Sequence, residues 1–92
     1  MIVRIATEGQ YNLPGSFVDQ LNEIDNQLVE AVEEADQGRF DVLLKQMLTL
    51  VREQGTPLPM DELVESDLML PAPDITLEEA QHLFVGEGLM PG

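Results

Sequence analysis

Three groupings of side chains carry residue types that could do chemistry. His82 has Glu78 and Glu79 nearby in sequence; Asp61, Glu62, Glu65 and Asp67 crowd one acidic stretch; and Glu33 to Asp41 packs carboxylates around Gly38. A histidine acting as general base or ligand needs converging partners. His82 is the only histidine of a chain with no cysteine, so it reads as a surface helix residue touching Glu78 one turn back. The stretch around Gly38 lacks oxygen ligands at positions 1, 3, 5 and 12 of a calcium loop. The 61–67 cluster reads as solvated charge, able to attract a cation only loosely. Ser16, Ser66 and the threonines have no nucleophile-elbow setting, and Gly9 and Gly15 are too sparse for a phosphate loop. No catalytic residue, cofactor site or metal site is assigned, and an enzyme is not expected.

The remaining pattern with functional content is an acidic stripe, Asp19, Glu23, Glu30 and Glu33. Its chemistry is attraction of a basic protein surface. The chain has 92 residues with 18 Asp and Glu against four Lys and Arg, a net charge of −14. The distribution is uneven: residues 16 to 35 hold Asp19, Glu23, Asp25, Glu30, Glu33 and Glu34 without a cation, while Arg39, Lys45 and Arg52 follow. Nucleic acid and anionic lipid both call for clustered Lys and Arg, so neither is an expected partner.

The elements that must position this stripe follow from periodicity. Phe17, Leu21, Ile24, Leu28, Ala31 and Ala35 step by four and three, an amphipathic helix whose opposite face carries Asp19, Glu23, Asn26, Glu30 and Glu33. Ser16 with Asp19 resembles a capping pair at its start. Asp36, Gln37 and Gly38 break the pattern, with Asp36 able to cap a second helix that runs to about Gln54 and stops at Gly55 and Pro57. That helix has a wide apolar arc, Phe40, Leu43, Leu44, Met47, Leu48, Leu50 and Val51, with Val42 besides. The short break makes the two helices an antiparallel hairpin, and the surplus arc must meet either strands or another protomer.

At the start, MIVRIA sends Val3 and Ile5 one way and Ile2, Arg4 and Ala6 the other, a half-covered strand. Leu68, Met69 and Leu70, held between Asp67 and Pro71, read as its mate. With two helices between them, up and back, the pair of strands 2–6 and 67–70 is expected to run antiparallel. A two-stranded sheet is marginal alone, so an edge shared with a second copy is expected, with Arg4 limiting indiscriminate pairing. Pro59 to Val64 suits one helical turn. Thr76 with Glu79 forms a capping box for a short helix through about Phe84, ended at Gly86. The fold class is therefore α+β in one domain, 1–92: an αα-hairpin on a small sheet, plus a short C-terminal helix. Arg4 interrupts the opening apolar run too early for a signal peptide, and no segment reaches the roughly 20 apolar residues of a membrane span; the expected compartment is the cytoplasm.

MIVRIATEGQY at the start, LVREQGTPLP, DELVESDLMLPAPDITLEEA and the terminal EGLMPG together resemble the small proteins associated with phage shock protein A, written PspAA, with the SDLMLP-x-PD-x-TLEE stretch the most specific part. The resemblance implies a short acidic protein encoded beside a coiled-coil protein of the phage shock type, which protects stressed cytoplasmic membranes. It implies a non-enzymatic accessory or regulator acting through a PspA-like partner at the inner face of the membrane, and brings no catalytic residues. The acidic face of the first helix is compatible with this, making Asp19, Glu23, Glu30 and Glu33 the expected partner contacts, and the marginal sheet makes a homo-oligomer expected, a dimer being favoured. Two other readings compete: a sensor of a small ligand or metal ion in a pocket between hairpin and C-terminal half, and an acidic imitator of nucleic acid on a basic protein.

Overall fold

Strict alternation in β1 (Ile2–Ile5) sets the two faces of the sheet: Val3 and Ile5 are fully buried while Arg4 is exposed. The structure is a computed structural model and describes residues 1–62 and 64–83. After β1 come β2 (Gly9–Asn12), a 3-10 turn (Gly15–Phe17), α1 (Val18–Glu33), α2 (Gln37–Gln54), β3 (Thr56–Pro57), β4 (Leu68–Leu70) and α3 (Leu77–Leu83). This is the expected α+β architecture, a helical hairpin with a small sheet and a short C-terminal helix. Phe84 and Gly86, expected at the end of that last helix, lie outside the described residues.

The sheet has four strands in the order β3-β2-β1-β4. β1 pairs antiparallel with β2, Ile2 opposite Asn12 and Ile5 opposite Gly9. It pairs parallel with β4, Val3 beside Leu68 and Ile5 beside Leu70. The antiparallel expectation for strands 2–6 and 67–70 is thus corrected, and the reason is the number of reversals. β2 folds straight back on β1, β3 runs antiparallel to β2, and residues 58–67 form a return connection before β4. These reversals, hidden in the sequence, bring β4 in alongside β1 in the same direction. The same topology makes β1 an interior strand, so the argument for an open β1 edge guarded by Arg4 falls away.

The return connection is fastened to the strands it passes. Leu58 N–H donates to the Gln10 carbonyl, and the Gln10 side-chain amide donates to the Val64 carbonyl at 2.8 Å and to Ser66 Oγ at 2.7 Å. Asp67 closes it, accepting from Ile2 N–H at 2.8 Å while its own N–H reaches the Ile2 carbonyl. The helical turn expected from Pro59 to Val64 is a single hydrogen-bonded turn, Glu62 N–H to the Pro59 carbonyl.

Helix ends follow local chemistry. Ser16 does not cap α1: it sits in the 3-10 turn that Pro14 opens, and α1 begins at Val18 with Phe17 in the cap position and no side-chain cap. Helix α1 ends with Ala35 in the left-handed region at φ 54°. Asp36 N–H bonds the Ala31 carbonyl and Ala35 N–H the Val32 carbonyl, the 6→1 and 5→2 pair of a Schellman motif with alanine where glycine is usual. Asp36 then caps α2, its carboxylate accepting from Arg39 N–H at 3.2 Å, so Gly38 lies inside α2 rather than in the break. The capping box of α3 forms in both directions, Glu79 N–H to Thr76 Oγ1 and Thr76 N–H to Glu79 Oε1, each 3.1 Å.

One core gathers Val3, Ile5, Leu68 and Leu70 of the sheet, Leu13, the inner faces of both helices and Ala80 of α3. All seven residues of the wide α2 arc are buried in it. The arc is accounted for inside the chain, by α1 on one side and the sheet on the other. Val42 is what remains, 56 % exposed.

Candidate partner-binding surface

Steps of four and three along α1 place Asp19, Glu23, Asn26, Glu30 and Glu33 on the side away from the core, and all five are exposed. The predicted partner contacts Asp19, Glu23, Glu30 and Glu33 therefore share one face over about four turns. They are not electrostatically alike. The hairpin turn brings Arg39 back beside the end of α1, where its guanidinium meets Glu30 at 3.1 Å and Glu34 at 3.6 Å. These side chains stay well solvated, and such pairs contribute about 0–1 kcal/mol. Asp19, Glu23 and Glu33 have no ion-pair partner among the described residues, so within the stripe only Glu30 is partly neutralised.

Beside the stripe, α1 and α2 form a furrow of about 470 Å³. Ile24, Val42 and Leu50 supply its apolar surface, and Gln20, Lys45 and Glu53 stand among its polar borders. Ile24 belongs to the apolar face of α1 but is only half-buried, while Leu50 is 8 % exposed. A furrow between two helices with an apolar floor and polar rim is the shape that accepts a third helix by its apolar face.

The other groupings stay apart. His82 and Glu78 are both exposed on α3. Asp61, Glu62 and Glu65 are exposed, and Asp67 is engaged with Ile2. Among the described residues no three His, Cys, Asp or Glu side chains are placed to hold a metal ion. Where the sensor reading puts a pocket, between hairpin and C-terminal half, there is a space of about 300 Å³ between α2 and Pro73. Its polar groups, Asp41, Lys45 and Arg52, lie along one helix, and Arg52 is already engaged with Glu8, so the sensor reading gains no support.

Arg52, in the last turn of α2, grips the β1–β2 turn through a two-pronged ion pair with Glu8, its Nε donating to Oε1 at 2.9 Å and its Nη2 to Oε2. The turn it holds is a tight one: Thr7 sits at φ 73° and Gly9 at φ 124°, a region only glycine enters readily. Hydrogen bonding from Arg52 holds the Glu8 carboxyl below its ordinary value of 4.5. A lowered folded value means the stabilisation is complete above the unfolded value and disappears as pH falls through the folded one. Glu8→Gln is expected to cost at most about 1 kcal/mol at pH 7, and the gap between wild type and variant should close below pH 4.5 in urea titrations. A gap that persists into acid would remove the ion pair as its source.

Asp25 is the residue the sequence reading passed over. It was counted among the acidic residues of α1, yet it is 1 % exposed, the one buried charged side chain among the described residues. The signal was available: four residues after Leu21 and three before Leu28 is a position on the apolar stripe. Tyr11, whose place the sequence left open, is half-buried against the core.

The class that fold and surface define is an α+β domain presenting an acidic helical hairpin. The model of the PspA-associated protein family matches residues 1–92, and the chain belongs to that family, which links it to PspA systems. No curated protein and no solved structure matches the chain. No helix among the described residues is long and apolar enough to cross a membrane.

Proposed function

We propose that the chain is a non-enzymatic accessory or regulatory protein of a PspA-type membrane-stress response, acting in the cytoplasm by contact with a PspA-type coiled-coil protein and reaching the inner face of the membrane through it. The observation that carries this reading, beside family membership, is the outer surface of the hairpin. There the acidic stripe Asp19, Glu23, Glu30 and Glu33 runs next to the Ile24–Val42–Leu50 furrow. A long helix with basic residues flanking an apolar seam complements both features, the charges governing encounter and the furrow retention. Asp19 and Glu23 matter more than Glu30, which Arg39 already engages.

The test is light scattering after size-exclusion chromatography on the chain mixed with the PspA-type protein of its source organism, at low and high salt. We expect a complex that salt weakens, that Asp19→Lys with Glu23→Lys weakens by about tenfold or more, and that Val42→Glu weakens at either salt. Absence of a complex at every ratio and salt would reject the accessory reading. A complex indifferent to both variants would keep the partner and reject the hairpin as its contact.

A further inference from the structure

The far side of β4 ends the sheet, and a groove of about 630 Å³ runs along it. In a parallel ladder alternate residues turn their backbone groups to the same neighbour. Ala6 N–H donates to the Leu70 carbonyl, so Leu70 and Leu68 face β1 while Met69 directs its N–H and C=O away from it. No described residue pairs with them. The Met69 side chain is 60 % exposed, although Leu68 and Leu70 on either side are buried.

The groove has an apolar lining from Ala6, Pro71 and Ile75 and an acidic one from Asp67, Asp74 and Glu79. All three carboxylates are exposed, and none of the four Lys and Arg of the chain lines it. Arg4 sits across the ladder from Met69. Two of these acids have structural duties, Asp67 on Ile2 and Glu79 on Thr76, which fixes them in place beside the edge.

We propose that this edge is a second docking site, taking an extended segment of a partner protein in which Lys or Arg alternates with apolar residues. The segment adds as a strand to β4, its backbone meeting Met69, its basic side chains the three carboxylates and its apolar ones the Ala6, Pro71 and Ile75 surface. Charge selects this occupant over a second copy of the chain. Two β4 edges brought together would face each other with their carboxylates doubled. The site is separate from the hairpin surface and does not depend on the PspA reading.

The test uses the full chain alone. Selection from a random library of extended peptides of about six residues is expected to enrich Lys or Arg alternating with Val, Ile or Leu. An enriched peptide titrated into the isotope-labelled chain should shift the Met69 and Ile75 amides. The same peptide N-methylated at alternate residues, and the Asp74→Lys chain, should each lower the affinity by about tenfold or more. Enrichment of no such class, shifts confined to α1 and α2, or unchanged binding by the N-methylated peptide would overturn the proposal. So would light scattering that finds the free chain paired through Met69. Either result leaves the PspA complex to stand or fall on its own experiment.

Discussion

Phe40→Ala is expected to lower the unfolding free energy by about 3–5 kcal/mol. Phe40 is fully buried and heads the largest side chains of the core. It lies in the first turn of α2, just past the Asp36 cap, so its ring fixes the hairpin at its closed end. Truncation removes that contact and leaves a cavity between elements that are each held elsewhere, α1 by its Schellman turn and α2 by Arg52, so collapse into the gap is limited. Set against the 5–15 kcal/mol typical of a whole domain, the loss leaves the variant marginal at 37 °C. The control is Val42→Ala, two residues along the same helix but 56 % exposed, where about 0.5 kcal/mol or less is expected. Guanidinium denaturation of both variants decides it; equal losses at the two positions would contradict the burial pattern of α2.

Gly55→Ala is the second large effect, and it comes from addition rather than removal. Helix α2 ends at Gly55 with extended backbone, φ −85° and ψ 154°, so no left-handed conformation demands glycine. Space does. A methyl group there would lie 2.5 Å from the Val51 carbonyl oxygen and 3.0 Å from Tyr11 Cβ. The first is backbone of the last helical turn and receives the Gly55 N–H, so relief means opening that turn or shifting β3, which follows at once. Such overpacking costs about 1–3 kcal/mol, occasionally more. If Gly55→Ala melts at the wild-type temperature, the close approach of Tyr11 to the end of α2 is not as drawn.

The parts of the fold that could be read in advance share a physical trait: their signal is periodic and long. Helices α1 and α2 each repeat their apolar positions over several turns, and the starts of α2 and α3 carry side chains whose bonding is local, Asp36 for the one and Thr76 with Glu79 for the other. β1 and β4 were visible because apolar residues cluster in them. β2 was not, because Gly9-Gln10-Tyr11-Asn12 is polar, half-covered and held by pairing with neighbours on both sides, which no local pattern announces. β3 is two residues long and contains a proline. Missing these strands and the return through 58–67 reversed the inferred direction of β4, a parity error and not an error of position. The candidate surface was legible as an exposed acidic face, since helical spacing fixes it. The unequal charges along it were not: Arg39 reaches Glu30 only through the hairpin turn, across nine positions. Likewise Ser16 resembled a cap until Pro14 turned the chain before the helix began.

The sheet joins strands made far apart in time. β1 leaves the ribosome well before its parallel neighbour β4, which is fastened to Ile2 through Asp67, 65 positions later. As the chain emerges from the ribosome, β1 and β2 can meet at once and the helical hairpin can form from its own local contacts. Both must then wait, with the β4 side of β1 uncovered, until residues 68–70 have been made. Contacts of such sequence separation slow folding and leave strand edges exposed to other chains meanwhile. An early-exposed strand carrying an arginine on its solvent face is suited to that interval, since the charge that is idle in the finished sheet discourages contact with other nascent chains before the last strand arrives.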